Sequence, residues 1–341
     1  MIDGTCRSGH LNSVGHPDNR RSTHWRGCAY SKVRAKRLRD EHPVGHHRSV
    51  MRNVTQVTES MVPLPSSREV PKLQWPSGAR VALGLTFDVD AEPGWLCEGL
   101  EYQRRFTTLS EVRFGVTRGL PRILDALKDL QLPATFFVPG ETLERYPAAV
   151  AAILEQGHEV AHHGHAHLRS DRCSPSEQRA EIESAFDVFA RFGVDRPDGY
   201  RSPAWEMTPE TFELLAEYDF TYDSSCMGDD RPYYEVFGGR SILELPVHWS
   251  LDDWPRFGWN IDTAGHLGQP ADLVAEWDDE LEFALRDGSR SLIPTMHPEM
   301  IGRGYRFLHL ERWLERIAED SAIWFATLGQ IAAHVLEADH E

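Results

Sequence analysis

Residues 157–171 read GHEVAHHGHAHLRSD, and five histidines (His158, His162, His163, His165 and His167) fall within ten positions of that stretch. Seventeen histidines in 341 residues would place about half of one in such a window, so composition alone does not make the cluster. A short run of strand character, 158–161, feeds directly into it. His163 and His167 stand four apart, and His163, His165 and His167 alternate, so either a helical or an extended backbone aims two imidazoles at one point. Metal binding is the first chemistry to consider, with a solvated His-rich loop as the plain alternative. A metal also needs an anionic ligand from elsewhere. The best donor is the stretch 83–90, LGLTFDVD, where an apolar run stops at two carboxylates, Asp88 and Asp90.

Outward from this stretch the chain alternates short β-rich runs with helical patterns. Strands are expected at 82–87, 134–138, 158–161, 199–201, 221–223, 242–247, 291–296 and 323–326. Leu120, Ile123, Leu124, Leu127 and Leu130 recur at helical spacing, with Pro121 near the start, where its missing N–H costs little. Ser174-Pro175-Ser176-Glu177 reads as a capping box opening a helix that carries Ile182, Phe186, Phe189 and Phe192. Thr208-Pro209 opens another helix and Pro270 a third. Repeated strand-helix units imply parallel strands with right-handed crossovers, and seven or eight of them predict an α/β barrel, closed or nearly so.

On that scaffold every polar cluster lies at a carboxyl end of a strand. Asp88 and Asp90 end the first strand, the histidines the third, Arg201-Ser202-Pro203 the fourth; Asp252-Asp253-Trp254 follows the sixth and Thr295-Met296-His297 ends the seventh. That is the face where a parallel barrel forms its active site. Taken singly, Asp88 as a loop cap, Arg201 as a surface ion pair and His297 as a satisfied core histidine are equally good readings; their convergence favours function.

Composition narrows the classes. With 40% apolar residues the chain buries a full core, and one large domain at 71–341 is expected. No run of 18 apolar residues or signal-like start occurs, and the five cysteines lack CxxC spacing, so a cytoplasmic protein is expected. Lys and Arg outnumber Asp and Glu by 11 to 5 in residues 1–60, and the balance reverses to 25 against 48 in the rest. An acidic body disfavours nucleic-acid binding. Residues 1–70, basic and without hydrophobic periodicity, are expected to be a disordered tail; the composition break suggests an upstream extension, with translation starting near Met51 or Met61.

The order TFDVD, HHGHAH, GYRSPAW, DDW and TMH resembles the polysaccharide deacetylase superfamily, the NodB-homology or carbohydrate esterase family 4 fold. The stretches GWL after DVD, Thr117-Arg118-Gly119, ATFFVPG, RSPAWE, YDSS and ELPVHWSLDDWP look most like the branch with the Helicobacter-type peptidoglycan deacetylase homologue, PuuE-type allantoinases and cyclic imidases. The resemblance implies a distorted (β/α)7 barrel with one divalent metal, usually zinc, held by Asp90, His163 and His167. It further implies Asp88 as general base, Arg201 holding that base, His297 as general acid, and the backbone N–H near Ala204 helping to bind the oxyanion. TFDVD departs from the usual TFDD, Gly164 stands where many members have Ser or Thr, and Ala204-Trp205 replaces an aromatic and a glycine, which disfavours a long glycan groove.

The residue types suit amide hydrolysis on their own account. Two imidazoles and a carboxylate leave open positions on zinc for water, whose pKa falls towards about 7; Asp88 accepts a proton, and His297 protonates the departing nitrogen. Asp252 or Asp253 orients His297. Trp95, Trp205, Trp249 and Trp254 flank the motifs, either as walls of a small pocket or as packing beneath the loops. The substrate expected is a small cyclic imide, ureide or N-acyl compound, ahead of N-acetyl sugar polymers, worked on by a homo-oligomer without nucleic-acid or membrane partners. Two rivals remain: a non-haem iron oxygenase using His297-Pro298-Glu299 as H-x-E, which needs an all-β jelly roll, and a non-catalytic ligand-binding barrel.

Overall fold

The computed structural model describes residues 63–262 and 267–340. Its strands are β1 (Ser66–Glu69), β2 (Val81–Leu83), β3 (Thr86–Asp88), β4 (Thr135–Val138), β5 (Glu159–His162) and β6 (Gly199–Tyr200). They continue with β7 (Tyr222–Asp223), β8 (Tyr233–Phe237), β9 (Arg240–Glu244), β10 (Arg290–Leu292), β11 (Thr295–Met296) and β12 (Ile323–Phe325). The main sheet runs β1-β8-β9-β7-β6-β5-β4-β3-β11, and a second sheet runs β10-β2-β12. From β9 to β11 the main sheet is parallel throughout, as strand-helix repeats require. The oxygenase reading falls here, because long helices intervene between these parallel strands.

Two expected strands are each broken in the middle. The 82–87 run parts at Gly84-Leu85, and the 291–296 run parts at Ile293-Pro294, where proline offers no N–H to a ladder. A side chain at Gly84 would come within 2.5 Å of Leu328 Cδ2, so the break lets the C-terminal helix, Leu328–His340, close on the backbone. The lower halves join β12, while the upper halves join the main sheet and point their ends at the site. The nearly closed alternative matches what is seen: among the described residues the link beyond β11 is an isolated parallel bridge, Asp252 with Thr295.

The helices follow the sequence signals. Leu120–Leu130 buries Leu120, Ile123, Leu124 and Leu127. Ser174 caps Pro175–Arg191 through a reciprocal pair with Glu177, and Thr208 caps Pro209–Glu217 in the same way with Thr211; such caps contribute about 1 kcal/mol each. Pro270–Asp287 buries Trp277 against Trp313 of the following helix, Gly304–Ile317.

The β8–β9 hairpin was not expected. Its turn is Gly238-Gly239, both with positive φ (58° and 79°), a two-residue hairpin signal that reads clearly in retrospect. The hairpin also recruits the end of the expected tail: Ser66–Glu69 pairs antiparallel with β8, and Arg68 lies over the Tyr234 ring and pairs with Asp339. The rest of the tail expectation, and the start sites proposed for it, fall on residues 1–62, outside the described residues. Among the described residues no helix is long and apolar enough to cross a membrane.

Candidate active site

The five histidines of the opening stretch separate by burial and direction. His158 packs on Phe136, and His162 is enclosed by Phe186, Phe189, Tyr200 and Phe220. Burial pushes the His162 imidazole down to about 3, so it is a neutral core residue. His163, one position on, faces the opposite side. Its Nδ1 lies 2.8 Å from the Arg201 carbonyl oxygen, which leaves Nε2 3.4 Å from Asp90 Oδ1. His167 Nε2 lies 3.4 Å from Asp90 Oδ2, and its Nδ1 3.6 Å from Cys97 Sγ.

The loop carrying these two imidazoles is neither helix nor strand. It turns at Gly164 (φ 70°) and His167 (φ 59°), and one carboxylate oxygen holds its shape: Glu181 Oε2 accepts from the backbone N–H groups of His165, Ala166 and Leu168 at 3.0, 2.9 and 3.3 Å. Glu181 sits in the capped helix Pro175–Arg191. Nothing in local sequence singled it out, because its partner is a loop that only the fold brings over it.

Asp88 and Asp90 emerge from β3, buried at 1% and 4% exposure. Arg201, wholly buried, donates to Asp88 Oδ1 at 2.7 Å and to Thr86 Oγ1 at 3.1 Å. It also reaches the Ser224 carbonyl and hydroxyl at 2.9 Å each, and its guanidinium lies 4.0 Å from the Phe137 ring centroid. Every side of the cation is thus satisfied, and breaking one such buried pair costs about 3–5 kcal/mol. The YDSS stretch explains itself here: Ser224 holds Arg201, while Ser225 Oγ accepts from the Ser202 N–H and donates to Asp223.

Across the site, His297 rests on Asp253. Asp253 Oδ1 is 2.8 Å from His297 Nδ1, and both its oxygens accept the His297 backbone N–H at 3.0 Å. Asp252 Oδ1 stands 3.5 Å from the same Nδ1 and accepts instead from the Trp254 N–H. The choice the sequence left open goes to Asp253 on distance. Burial pulls the His297 pKa down, but the Asp253 hydrogen bond and the charges of Asp252, Asp253 and Asp90 outweigh it and hold the ring well above the ordinary histidine range. Burial, with the Asp253 charge adding, raises Asp252 to about 7. His297 Nε2 faces the opposite wall, 4.0 Å from Asp88 Oδ2 and 3.8 Å from Asp90 Oδ2.

The tryptophans divide. Trp254 lies 5.0 Å from the His297 ring and 5.7 Å from Trp95, which stacks on Tyr102. Trp205, buried at 7%, is stacked under the half-exposed Trp249 at 4.3 Å, so it packs beneath the rim as the plain reading had it. Ala204 and Trp205 both have positive φ (54° and 57°), a strained pair directly after Arg201-Ser202-Pro203. Ala204 is exposed at that turn.

A divalent ion fits the first wall. Asp90, His163 and His167 each offer a ligand atom, all within 4.8 Å of one another, and Asp90 Oδ1 is buried with no hydrogen-bond partner. Oxygen and imidazole nitrogen donors in that number suit zinc and related ions. The set Asp252, Asp253 and His297 is equally compact, but its imidazole nitrogen is already committed to Asp253.

The polysaccharide deacetylase family model matches residues 106–222, a span that holds His163, His167 and Arg201 but neither Asp88, Asp90 nor His297. A crystal structure from Mycobacterium smegmatis, assigned to the polysaccharide deacetylases, superposes with a TM-score of 0.75 at 36% identity, covering 80% of this chain and 96% of that one. The chain belongs to the polysaccharide deacetylase family. Members of this family are hydrolases of amide carbon–nitrogen bonds, generally dependent on a divalent metal. The peptidoglycan deacetylase of Helicobacter pylori is 27% identical over 284 residues, 75% of this chain and 96% of the relative. PuuE allantoinase shares the fold, with a TM-score of 0.68 at 23% identity over 77% of this chain and 93% of that one.

Proposed function

We propose that this deacetylase-family hydrolase cleaves a small non-peptide amide bond, in a cyclic imide, ureide or N-acyl compound, using zinc held by Asp90, His163 and His167. The observation that carries the reading is the meeting of three functions around Asp88: His163 Nε2 lies 3.9 Å from its Oδ2, His297 Nε2 4.0 Å from the same oxygen, and Arg201 2.7 Å from its other oxygen.

When bound, the metal supplies Lewis acidity, lowering the pKa of water and polarising a carbonyl. Asp88 is the general base. Arg201 fixes it through Oδ1, so Oδ2 is free to take a proton from attacking water. His297 is the general acid: Asp253 occupies Nδ1, which leaves the Nε2 proton for the departing nitrogen. An amine anion is too poor a leaving group without that proton. The Ala204 turn supports an oxyanion-binding backbone N–H, and the Trp95–Trp254–His297 line supports a compact aromatic wall suited to a ring-sized substrate.

A second reading, N-acetyl sugar or peptidoglycan deacetylation, is supported by the likeness to the H. pylori enzyme, which spans 96% of that protein and 75% of this chain. Turnover of succinimide, hydantoin, allantoin, N-acetylglucosamine oligomers and peptidoglycan by one zinc-loaded preparation separates the two. Polymer deacetylation without small-amide turnover rejects the first.

A further inference from the structure

The two imidazoles of the first wall are held from behind in different ways. His163 Nδ1 lies 2.8 Å from the Arg201 carbonyl oxygen, a backbone atom. His167 Nδ1 faces a side chain instead, the thiol of Cys97, whose Sγ is 3.6 Å away. The same sulfur donates to the Gly94 carbonyl oxygen at 3.5 Å. A thiol is a weak donor and a weak acceptor, and these two contacts use it both ways: it gives its proton to Gly94 and takes one from the imidazole.

Cys97 follows directly on the short helix Pro93–Leu96, which is packed onto the site along its length. A side chain at Gly94 would come within 2.9 Å of Asp90 Cβ, so the backbone there lies against the carboxylate residue that the two histidines share. Trp95 lies 5.7 Å from Trp254, the ring beside His297. Glu98, one position past Cys97, pairs with Arg172 at 3.0 Å and ties the segment to the chain that follows the histidine loop. The thiol is thus anchored on both sides before it meets His167.

Of the two ligands, His167 has the less ordinary backbone. It lies in the left-handed region (φ 59°), which a non-glycine residue keeps where its surroundings fix it. Glu181 fixes the neighbouring N–H groups of His165, Ala166 and Leu168. The direction of the His167 ring then depends on what meets its two nitrogens, Asp90 at Nε2 and Cys97 at Nδ1. Ligation through Nε2 needs a lone pair on that atom, which puts the ring proton on Nδ1, opposite the sulfur.

We propose that Cys97 is a positioning residue for the metal site: its sulfur accepts the Nδ1 proton of His167 and fixes the ring so that Nε2 is turned towards Asp90 and the ion they share. This rests on the assignment of Asp90, His163 and His167 as ligands, and it names the side chain that holds one of them.

The test titrates zinc and cobalt(II) into the metal-free full chain against a competing chelator, for the parent, Cys97→Val, Cys97→Ser and Asp90→Ala. The visible cobalt spectrum and the melting temperature of the metal-free protein are recorded for each, and Asp90→Ala gives the background from histidines elsewhere in the chain. Cys97→Val, close in size but without an acceptor, is expected to bind zinc about tenfold more weakly than the parent. Its cobalt bands should shift while its melting temperature stays close to the parent's. Cys97→Ser, which restores a donor and an acceptor, is expected to bind more tightly than Cys97→Val and to recover the parent's cobalt bands. Parent-like affinity and bands in Cys97→Val overturn the proposal. So does a serine variant no better than the valine one, or a loss of affinity matched by a lower melting temperature of the metal-free protein, the mark of a packing role. Failure of the ligand assignment itself is read separately, as an Asp90→Ala titration indistinguishable from the parent's, and it removes the ground of the proposal.

Discussion

The two walls of the site are built from the same side chains and are prepared for different work. On the first, Asp90 stands 3.4 Å from the Nε2 atoms of both His163 and His167, and one of its buried oxygens has no hydrogen-bond partner. On the second, Asp253 lies 2.8 Å from His297 Nδ1 and also accepts the His297 backbone N–H, so the carboxylate is saturated by one residue. The first wall has capacity left for a cation, and the second holds a proton on a ring of fixed orientation. Residue type therefore does not separate ligand from acid; the number of hydrogen bonds already made does.

The largest effect should come from breaking the first wall. Asp90→Ala or His163→Ala is expected to abolish metal binding and lower turnover by at least about 10⁴, because base and acid alone then act on unactivated water. Metal analysis of both variants beside His297→Ala sharpens the contrast, since the last should keep its metal. Full occupancy in Asp90→Ala would mean that the walls have been assigned the wrong way round.

Next in size is Asp88→Asn, expected to keep fold and metal but lose about 10²–10⁴ in kcat. Its amide still accepts a hydrogen bond from Arg201 but no longer takes a proton from water. Single-turnover rates on metal-loaded protein are the measurement.

Asp253→Asn tests how the second wall holds its proton. In the parent, His297 is raised well above the ordinary histidine range, so the acid form persists above neutrality and activity falls only as pH rises through that raised pKa. Removing the Asp253 charge and its charge-assisted hydrogen bond takes away two of the effects that offset burial, and so lowers the pKa. The alkaline limb of kcat is expected to move to lower pH, with a loss of about 10–10² near neutrality. An unmoved limb would assign the orienting role to Asp252.

The smallest effect belongs to the support of the first wall. Glu181→Gln keeps the shape but weakens three charge-assisted bonds to the loop 165–168. Metal affinity is expected to drop about tenfold and the melting temperature by about 2–6 °C. An equilibrium metal titration paired with a melting curve measures both.

Much of this site was legible in the chain because chemistry-bearing residues stand at the ends of apolar runs, and parallel strands gather such ends on one face. Asp88, Asp90, His163, His167, Arg201 and His297 were expected that way, and the fold brings them together. Glu181 and Ser224 were not, since each acts through a backbone or side chain distant in sequence. The Gly238-Gly239 hairpin carries a local signal in its two positive-φ glycines, but it interrupts the strand-helix repeats that surround it.

Sequence by itself determined the alternation of elements and the helix caps at Ser174 and Thr208, because these depend on periodicity and local hydrogen bonding. It also determined that histidines would crowd at the end of β5. Only the tertiary structure decided that His162 belongs to the aromatic core while His163 faces Asp90, since adjacent residues of a strand point to opposite sides and the surroundings decide which side is the site. Only the tertiary structure, too, chose Asp253 over Asp252 and set Cys97 beside His167. Distances of a few ångströms between segments far apart in the chain are fixed by packing, and no local pattern encodes them.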